Sequence, residues 1–272
     1  MIGFSQHSYK KVSDILLPIT ATTINRSYTA FEFFTLVNGK PFYIERHLNR
    51  LFTTLHLLRI DIKYTKNELI NIISELINQN PLTNISYKIF VIPEPYLGYQ
   101  QFKGELYIFP IQQNINSAIN LTNKATLIVK NYQRFLPQAK TTNYTAHIFW
   151  ENEVQLQQAI DVLYIANNWI RETSRSNVFI VKNNTIFTPK NEVLQGITKS
   201  IVIDLIDKNK FCFLEQDFTL YNLLNCDELF ITSTTREITA ITMVDTHLIN
   251  NGKIGTITTK LQLQFKELKD CY

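Results

Sequence analysis

The sequence predicts an α+β protein of two domains, and three observations support this prediction. The chain has 272 residues, which is longer than a typical domain with a single hydrophobic core. Strand-like apolar runs occur together with segments of helical periodicity. A polar stretch without aromatic residues, QQNINSAINLT, separates two groups of such segments and is predicted to be a linker. We therefore predict a first domain over residues 1–112, a linker over 113–121 and a second domain over 122–272.

The composition is that of an ordinary globular protein, with 45% hydrophobic and 18% charged residues. The net charge of +4 is spread along the chain without a Lys/Arg block, so we expect no nucleic-acid partner. Neither a signal-peptide pattern nor a run of about eighteen apolar residues is present, so we expect a cytoplasmic protein with no membrane partner. Cys212, Cys226 and Cys271 lack CxxC or metal-ligand spacing, which indicates free thiols and predicts no metal site.

The first domain opens with a predicted hairpin, FEFFTLVNGKPFYI, because Asn-Gly supplies the positive backbone angles of a two-residue turn. The residues from Glu45 to Leu58 follow with leucines on one helical face. Arg46 is expected at the surface, whereas Arg50 lies beside the apolar stripe, where a guanidinium can bind a phosphate. A capping box, TKNE, then begins a second helix, and the runs ISYKIFVI and ELYIFPI are predicted strands.

The second domain begins with a strand, ATLIVKNYQ, and a proline-containing turn that leads to Lys140. A helix is predicted from about Thr142 to Gln158. A buried lysine at such a strand-to-helix junction can act as an amine nucleophile. Most lysines are solvated surface charges, so Lys140 alone would not indicate catalysis.

Two further hairpins are predicted after this helix, with Asn-Asn turns at 167–168 and 183–184. Between them lies ETSRSN, which contains Glu172 and whose small polar residues are typical of an exposed loop. The segment QGIT opens the next helix with a glycine and free amide groups, a feature that binds anions in many proteins but is weak evidence alone. The STT cluster beginning at Ser233 joins two more strands, and TITTKLQLQFKELK is predicted as a closing amphipathic helix.

Together these motifs resemble the class IV aminotransferases, which are fold-type IV enzymes that depend on pyridoxal 5'-phosphate (PLP). The group includes D-amino-acid and branched-chain aminotransferases and 4-amino-4-deoxychorismate lyase. The resemblance covers nearly the whole chain in the order FEFFTLVNGKPFYIERHLNRL, AKTTNY, ETSRSNVFIVKNN, LQGITKS and ELFITSTTREIT. It implies the two-domain architecture of D-amino-acid aminotransferases, PLP as cofactor, a small-molecule substrate and a homodimer.

The resemblance also implies roles for particular residues. Lys140 matches the lysine that forms the Schiff base with PLP and then moves the substrate proton, and Glu172 matches the acid that faces the pyridine nitrogen. Tyr144 could reach the phenolic oxygen of the cofactor, although apolar residues also occur there in the family. Ser176 and Asn177 match the small polar element beside the acid. The remaining matches are to the family's residues that bind the phosphate group of PLP, and they are Arg50, Ile197, Thr198, Ser233 and Thr234.

The chain departs from the family's pattern at three places. NRSYTAFE replaces a glycine-rich turn before the Phe-Glu pair, and Thr173 replaces the glycine that usually follows the acid. Pro93-Glu94-Pro95 lies where aminotransferases of the D-amino-acid type carry the arginine that holds the substrate carboxylate. Phe31 and Pro93 therefore mark a substrate pocket that is expected to differ from the family's.

These departures favour a lyase by a narrow margin. In this interpretation the enzyme converts 4-amino-4-deoxychorismate to 4-aminobenzoate and pyruvate for folate synthesis. Loss of a carboxylate anchor harms transamination more, because an aminotransferase binds two substrates in turn through that anchor. The alternative is an aminotransferase for D-amino acids or branched-chain amino acids, since STTREIT and the helix after the first hairpin look closest to those enzymes. A vestigial PLP-binding protein is a minor alternative.

Overall fold

The computed structural model describes residues 1–95, 102–112 and 125–272. The predicted linker, 113–121, lies outside the described residues. The chain divides into two compact units. The first contains the described residues of 1–112 together with Ala139–Asn143 and Tyr272, and the second contains the remaining described residues from 125 to 271. These units differ from the predicted domains at Ala139–Asn143 and Tyr272, and the predicted domain bounds stay a prediction.

The first unit is an antiparallel sheet with helices, as the α+β prediction requires. Its elements in chain order are β1 Ile2–Ser5, β2 Ser8–Lys11, α1 Thr22–Arg26, β3 Ala30–Val37, β4 Lys40–Pro41, α2 Ile44–Leu57, β5 Ile60–Asp61, α3 Lys66–Gln79, β6 Ile85–Pro93 and β7 Phe102–Gln112. The strand order is β2-β1-β7-β6-β3-β4, and β5 pairs in parallel with β7. The sequence did not predict β1, β2, β5 or α1, because elements of two to five residues are too short to show a period.

The local signals of the first unit are confirmed. Asn38 and Gly39 have φ of 50° and 75° and join β3 to β4. In α3, the Glu68 amide donates to Thr65 Oγ1 and the Thr65 amide donates to the Glu68 carboxylate, which is the predicted capping box. The leucine face of α2 is buried, as its spacing predicts.

The second unit is a mixed sheet flanked by helices. Its elements are β8 Ala125–Asn131, α4 Thr145–Leu156, β9 Asp161–Ala166, β10 Trp169–Thr173, β11 Asn177–Lys182, β12 Thr185–Thr188, α5 Ile197–Lys208, β13 Cys212–Glu215, α6 Leu220–Leu224, β14 Glu228–Ser233, β15 Glu237–Val244, β16 His247–Leu248 and α7 Thr256–Asp270. The strand order is β10-β9-β8-β15-β14-β11-β12-β13, and β16 pairs with β15. One face of the sheet carries an apolar core that includes Leu127, Leu163 and Ile231, and Phe179 stacks on Phe230 at 4.9 Å between ring centroids.

Two predictions in this part of the chain need correction. Helix α4 begins at Thr145 and not near Thr142, because Thr141 pairs with Ala30 and the Thr142 amide donates to the carbonyl of Thr29. The segment 172–177 is not an exposed loop. Most of its residues are buried, and Arg175 is its exposed member. Both hairpins with Asn-Asn turns, the helix after QGIT and the closing helix are confirmed.

Among the residues that the structure describes, no helix is both long and apolar enough to cross a membrane.

The start of α7 is held by a buried carboxylate. Glu228 accepts hydrogen bonds from the amides of Ile257 and Thr258 at 3.0 and 2.7 Å, so it satisfies two N–H groups that a helix leaves unpaired. A Cβ atom on Gly255 would lie 1.8 Å from Cδ of Glu228. Glycine is therefore needed where Glu228 reaches the helix.

We expect Gly255→Ala to lower the free energy of unfolding by about 2 kcal/mol, because the added methyl group displaces the Glu228 carboxylate from the helix amides. Glu228→Gln should cost a similar amount, and the double variant should cost little more than either single change. Urea unfolding of the three variants measures these values. Additive losses in the double variant would show that the two residues act independently.

Candidate active site

Lys140 lies in the first unit in an extended segment that is fixed by its backbone. The Phe31 amide donates to the carbonyl of Lys140 at 3.0 Å, and the Lys140 amide donates to Thr54 Oγ1 of α2 at 3.1 Å. The Lys140 ammonium lies 4.4 Å from the centroid of the Phe31 ring. The structure therefore brings together two residues that the sequence singled out, the proposed nucleophile and a residue of the altered pocket.

The other predicted pocket residue, Pro93, is buried at the end of β6. Phe90 of the same strand packs edge-on against Phe31, with 6.2 Å between ring centroids. Proline has no amide hydrogen, so this strand end offers one hydrogen-bond donor fewer than another residue would. Glu94 and Pro95, which follow it, are exposed.

Arg50 does lie beside the apolar stripe of α2, but its guanidinium is paired with a carboxylate. Its Nε and Nη2 atoms donate to the two carboxylate oxygens of Glu32, at 2.7 and 2.8 Å, and Nδ1 of His47 lies 2.9 Å from Glu32 Oε2. This bidentate geometry fixes the guanidinium plane. The structure neither assigns nor removes the predicted contact of Arg50 with phosphate, which stays a prediction.

Burial and the neighbouring charges together set the protonation of this cluster. Burial by itself would raise the pKa of Glu32, but the charge and hydrogen bonds of Arg50, with His47, hold that pKa well below its usual range. Burial also lowers the pKa of His47, against the opposing effect of Glu32, and the charges of Arg50 and Lys140 lower it further. A neutral His47 can donate its Nδ1 hydrogen to Glu32, so the cluster holds one carboxylate, one guanidinium and one imidazole.

Glu172 lies at the buried end of β10 in the second unit. Its Oε1 atom accepts a hydrogen bond from Nη1 of Arg134 at 3.0 Å, and its Oε2 atom accepts one from the amide of Leu194 at 3.0 Å. Nη2 of Arg134 donates to the carbonyl of Pro137 at 3.3 Å, which orients the guanidinium. Glu172 is thus a fixed buried carboxylate with a cationic partner.

Asn177 connects Glu172 to the start of α5. Its side-chain amide donates to the carbonyl of Leu194 at 2.7 Å. Asn177 therefore binds the carbonyl of the residue whose amide donates to Glu172. A Cβ on Gly196 would lie 2.0 Å from Oδ1 of Asn177, so the glycine lets the helix start approach this side chain closely. Helix α5 begins one residue later, and both Ile197 and Thr198 are buried.

The remaining predicted residues of the second unit lie at turns and element ends. Ser233 ends β14, Thr234 follows it in the turn to β15, and the Arg236 amide donates to Ser233 Oγ at 3.3 Å. Ser176 is buried between β10 and β11, and its hydroxyl group has no hydrogen-bond partner among the described residues. Tyr144 immediately precedes α4, and its ring packs edge-on against His147.

This donor set fits PLP. The aldehyde of PLP needs an amine and its pyridine nitrogen needs a fixed carboxylate, and Lys140 and Glu172 are groups of these two kinds. A phosphate suits the first amides of α5, since these have no partner within their own helix. The hydroxyl group of Ser176, which has no hydrogen-bond partner in the described part of the chain, is buried beside Asn177 in the same segment as Glu172 and can still donate and accept.

Several residues that hydrogen-bond to the predicted residues or to their neighbours were not predicted from the sequence, namely Glu32, His47, Arg134, Asp161 and Arg236. An ionisable residue inside or at the start of an apolar strand, as in FEFF and DVLYIA, is the one signal that could have indicated Glu32 and Asp161. Their partners are distant in sequence, so no spacing rule identifies them. Arg134, for example, is separated from Glu172 by 38 positions.

Comparison with known proteins identifies the class. The family model described as amino-transferase class IV matches residues 29–244. D-alanine aminotransferase of Listeria monocytogenes is 30% identical over 250 residues, which cover 87% of this chain and 85% of that protein. The chain therefore belongs to the class IV aminotransferase family. The predictions of the family and of a PLP-dependent enzyme are confirmed.

Solved structures confirm the predicted two-domain architecture. The branched-chain aminotransferase of the archaeon Thermoproteus uzoniensis, solved with norvaline, is 21% identical and has a TM-score of 0.90 over 99% of this chain and 94% of its own. A protein from Legionella pneumophila described as a putative 4-amino-4-deoxychorismate lyase is 21% identical, with a TM-score of 0.84 over 94% of this chain and 96% of its own. At this identity the two structures establish the fold alone.

The lowered pKa of His47 predicts a pH dependence of stability. Above the unfolded-state pKa of 6.5 the imidazole is neutral in both the folded and the unfolded chain. As the pH falls from 6.5 towards the lower folded-state pKa, the unfolded chain binds a proton that the folded chain does not. The free energy of unfolding should therefore fall with acidification below about pH 6.5. In His47→Gln, which keeps a donor for Glu32 without a titrating ring, the fall should be smaller. Urea unfolding at a series of pH values measures it.

The control for this experiment is His56→Gln, which changes an exposed histidine of the same helix. It should keep the pH dependence of the parent protein. If His47→Gln also keeps that dependence, the buried histidine does not contribute to acid sensitivity.

Proposed function

We propose that this protein is a PLP-dependent aminotransferase that acts on D-amino acids. The observation that supports this most directly is the 30% identity to D-alanine aminotransferase of Listeria monocytogenes over 87% of the chain. The sequence alone favoured the lyase by a narrow margin. The comparisons support the aminotransferase better, because the listerial match shares more sequence than the lyase-like structure does.

The proposed cofactor residues divide by the part of PLP they bind. When bound, PLP supplies an electron sink that weakens a bond at the substrate Cα. Lys140 would hold the cofactor through its amine and then move a proton at the substrate Cα. Glu172, fixed by Arg134 and the Leu194 amide, would hold a proton on the pyridine nitrogen.

The phosphate would be held by three kinds of donor: backbone amides, hydroxyl groups and a guanidinium. The helix start at Ile197 and Thr198 supplies amides, and its dipole favours an anion. Ser233 and Thr234 supply hydroxyl groups from the turn after β14, and Arg50 supplies charge. Ser176 and Asn177 would shape the floor beneath the ring, and Tyr144 would contact the phenolic oxygen.

The lyase remains a second candidate because of one feature of the first unit. The segment Pro93-Glu94-Pro95 lies where aminotransferases of the D-amino-acid type, which this chain resembles, carry an arginine that binds the substrate carboxylate. The lyase-like structure from Legionella pneumophila shares the fold. We further propose a homodimer in the cytoplasm, as the family resemblance and the cysteine pattern imply.

The two candidates predict different products. We expect D-alanine with 2-oxoglutarate to give pyruvate and D-glutamate, and we expect no 4-aminobenzoate from 4-amino-4-deoxychorismate. Chiral chromatography of glutamate and fluorescence of 4-aminobenzoate measure the two reactions in parallel. L-leucine with 2-oxoglutarate tests the branched-chain alternative. Formation of 4-aminobenzoate without transamination of any amino acid would establish the lyase instead.

The attachment of PLP to Lys140 predicts a spectroscopic result. The purified protein with PLP should absorb in the visible range, and borohydride should fix the cofactor to the peptide that contains Lys140. Lys140→Ala should lose both signals and transaminase activity. Lys130→Ala is the matched control, since Lys130 forms an ion pair with Glu153 on α4 and should keep both signals. A parent protein without visible absorbance would contradict every PLP-dependent interpretation.

A further inference from the structure

Asp161 is a buried carboxylate at the first position of β9 that accepts hydrogen bonds from several segments. Its exposure is 1%. Oδ1 accepts from the Val162 amide at 2.8 Å and from Ser174 Oγ at 2.5 Å. Oδ2 accepts from Thr173 Oγ1 at 3.1 Å and from Nη1 of Arg236 at 2.9 Å. The four donors come from three stretches of chain, so one carboxylate connects β9, the segment after Glu172 and the turn after Ser233.

Thr173 transmits this connection to the segment 173–176. Its hydroxyl group donates to Asp161 and accepts the amides of Ser176 and Arg175, at 2.9 and 3.3 Å. The Thr173 amide also donates to the carbonyl of Ser176 at 2.8 Å. The hydroxyl group thus closes the turn that joins Glu172 to Asn177. A glycine, which is usual here in the family that the sequence resembles, has no side chain with which to do so.

Arg236 transmits the connection to the other segment. Its Nη1 donates to Asp161 and its Nη2 donates to the carbonyl of Ile160 at 2.6 Å, so the guanidinium binds two consecutive residues. The amide of Arg236 donates to Ser233 Oγ, and its carbonyl accepts from Thr239 Oγ1 at 2.7 Å. The backbone and the side chain of Arg236 therefore both hold the turn that carries Ser233 and Thr234.

We propose that Asp161, acting through Thr173 and Arg236, is the positioning residue that fixes the Glu172–Asn177 segment and the Ser233–Thr234 turn relative to each other. It touches neither of the reacting groups proposed above. Its effect is on the geometry of two sets of cofactor contacts, one for the pyridine ring and one for the phosphate. The hydrogen-exchange test of this inference does not depend on the proposed function, whereas the PLP-affinity test rests on it.

Asp161→Asn tests the proposal with almost no change of shape. An amide offers one acceptor oxygen where the carboxylate offers two. The hydroxyl groups of Thr173 and Ser174 can rotate to accept from the new NH₂ group, but the guanidinium of Arg236 and the amide of Val162 cannot. The variant therefore loses a charge-assisted hydrogen bond or leaves a buried amide facing another donor.

The first test is hydrogen exchange of the protein without cofactor. In Asp161→Asn we expect the amides of 173–176 and of 233–239 to exchange about 10 to 100 times faster, as loss of a charged hydrogen bond predicts. Glu228→Gln is the control, because it also neutralises a buried carboxylate of this sheet. It should speed exchange at Ile257 and Thr258 and leave both segments unchanged. Uniformly faster exchange across the protein, or parent-like exchange in both segments, would overturn the proposal.

A second pair of variants keeps the test decisive if Asp161→Asn yields no soluble protein. Thr173→Val removes the hydroxyl group and keeps the shape, so 173–176 should exchange faster and 233–239 should not. Thr173→Ser restores the hydroxyl group and should behave like the parent. If Thr173→Val exchanges like Thr173→Ser, the hydroxyl group does not organise the turn and the proposal fails.

The second test is PLP affinity, measured by titration of visible absorbance. We expect Asp161→Asn to raise the dissociation constant about 10-fold to 100-fold and Glu228→Gln to leave it unchanged. An unchanged constant in Asp161→Asn, with a parent protein that binds PLP, would overturn the positioning role and leave the proposed function intact. A parent protein that binds no PLP would overturn the proposed function, while hydrogen exchange would still decide the role of Asp161.

Discussion

A carboxylate that is removed from water must be surrounded by donors, and this constraint governs both units of the protein. Glu32, Asp161, Glu172 and Glu228 are all buried. An unmatched charge at any of these positions would cost several kcal/mol, so each is matched by amides, hydroxyl groups or a guanidinium. In each case donors come from a segment other than the one that carries the acid. Burying the acids therefore does more than add contacts, since it fixes the relative position of segments that backbone hydrogen bonds do not connect.

The candidate active site follows from the same constraint. Its residues in the second unit lie at strand ends, turns and one helix start, where backbone amides are not used by the sheet. Such positions give the best access to a ligand but the weakest support from secondary structure. The buried acids supply the missing support. Glu172 is fixed by Arg134 and Leu194, and Thr173 next to it is fixed by Asp161.

The sequence predicted those parts of the fold that local chemistry determines. Asn-Gly and Asn-Asn turns need positive φ, a capping box needs two residues three apart, and an amphipathic helix needs a period, and all of these were found where expected. What could not be predicted depends on partners far along the chain. ETSRSN has the composition of an exposed loop, yet tertiary contacts bury most of it. Likewise, nothing near Arg50 in the sequence shows that Glu32, on a strand 18 positions earlier, will hold its guanidinium.

The departures from the family pattern can be understood from the same contacts. Thr173 lies in a buried polar segment, at the position where the resemblance leads us to expect a glycine, and its hydroxyl group is hydrogen-bonded to Asp161 and to two amides. The change at Pro93-Glu94-Pro95 falls at the end of β6, where the side chains of Glu94 and Pro95 follow the strand and are exposed, and exposed side chains need no such partners. A substitution among the buried acids and their donors must be matched by another, whereas one at this strand end is not constrained by buried polar groups. A change at this strand end can therefore occur while the buried hydrogen bonds of the second unit are kept, and one fold can in this way serve more than one activity.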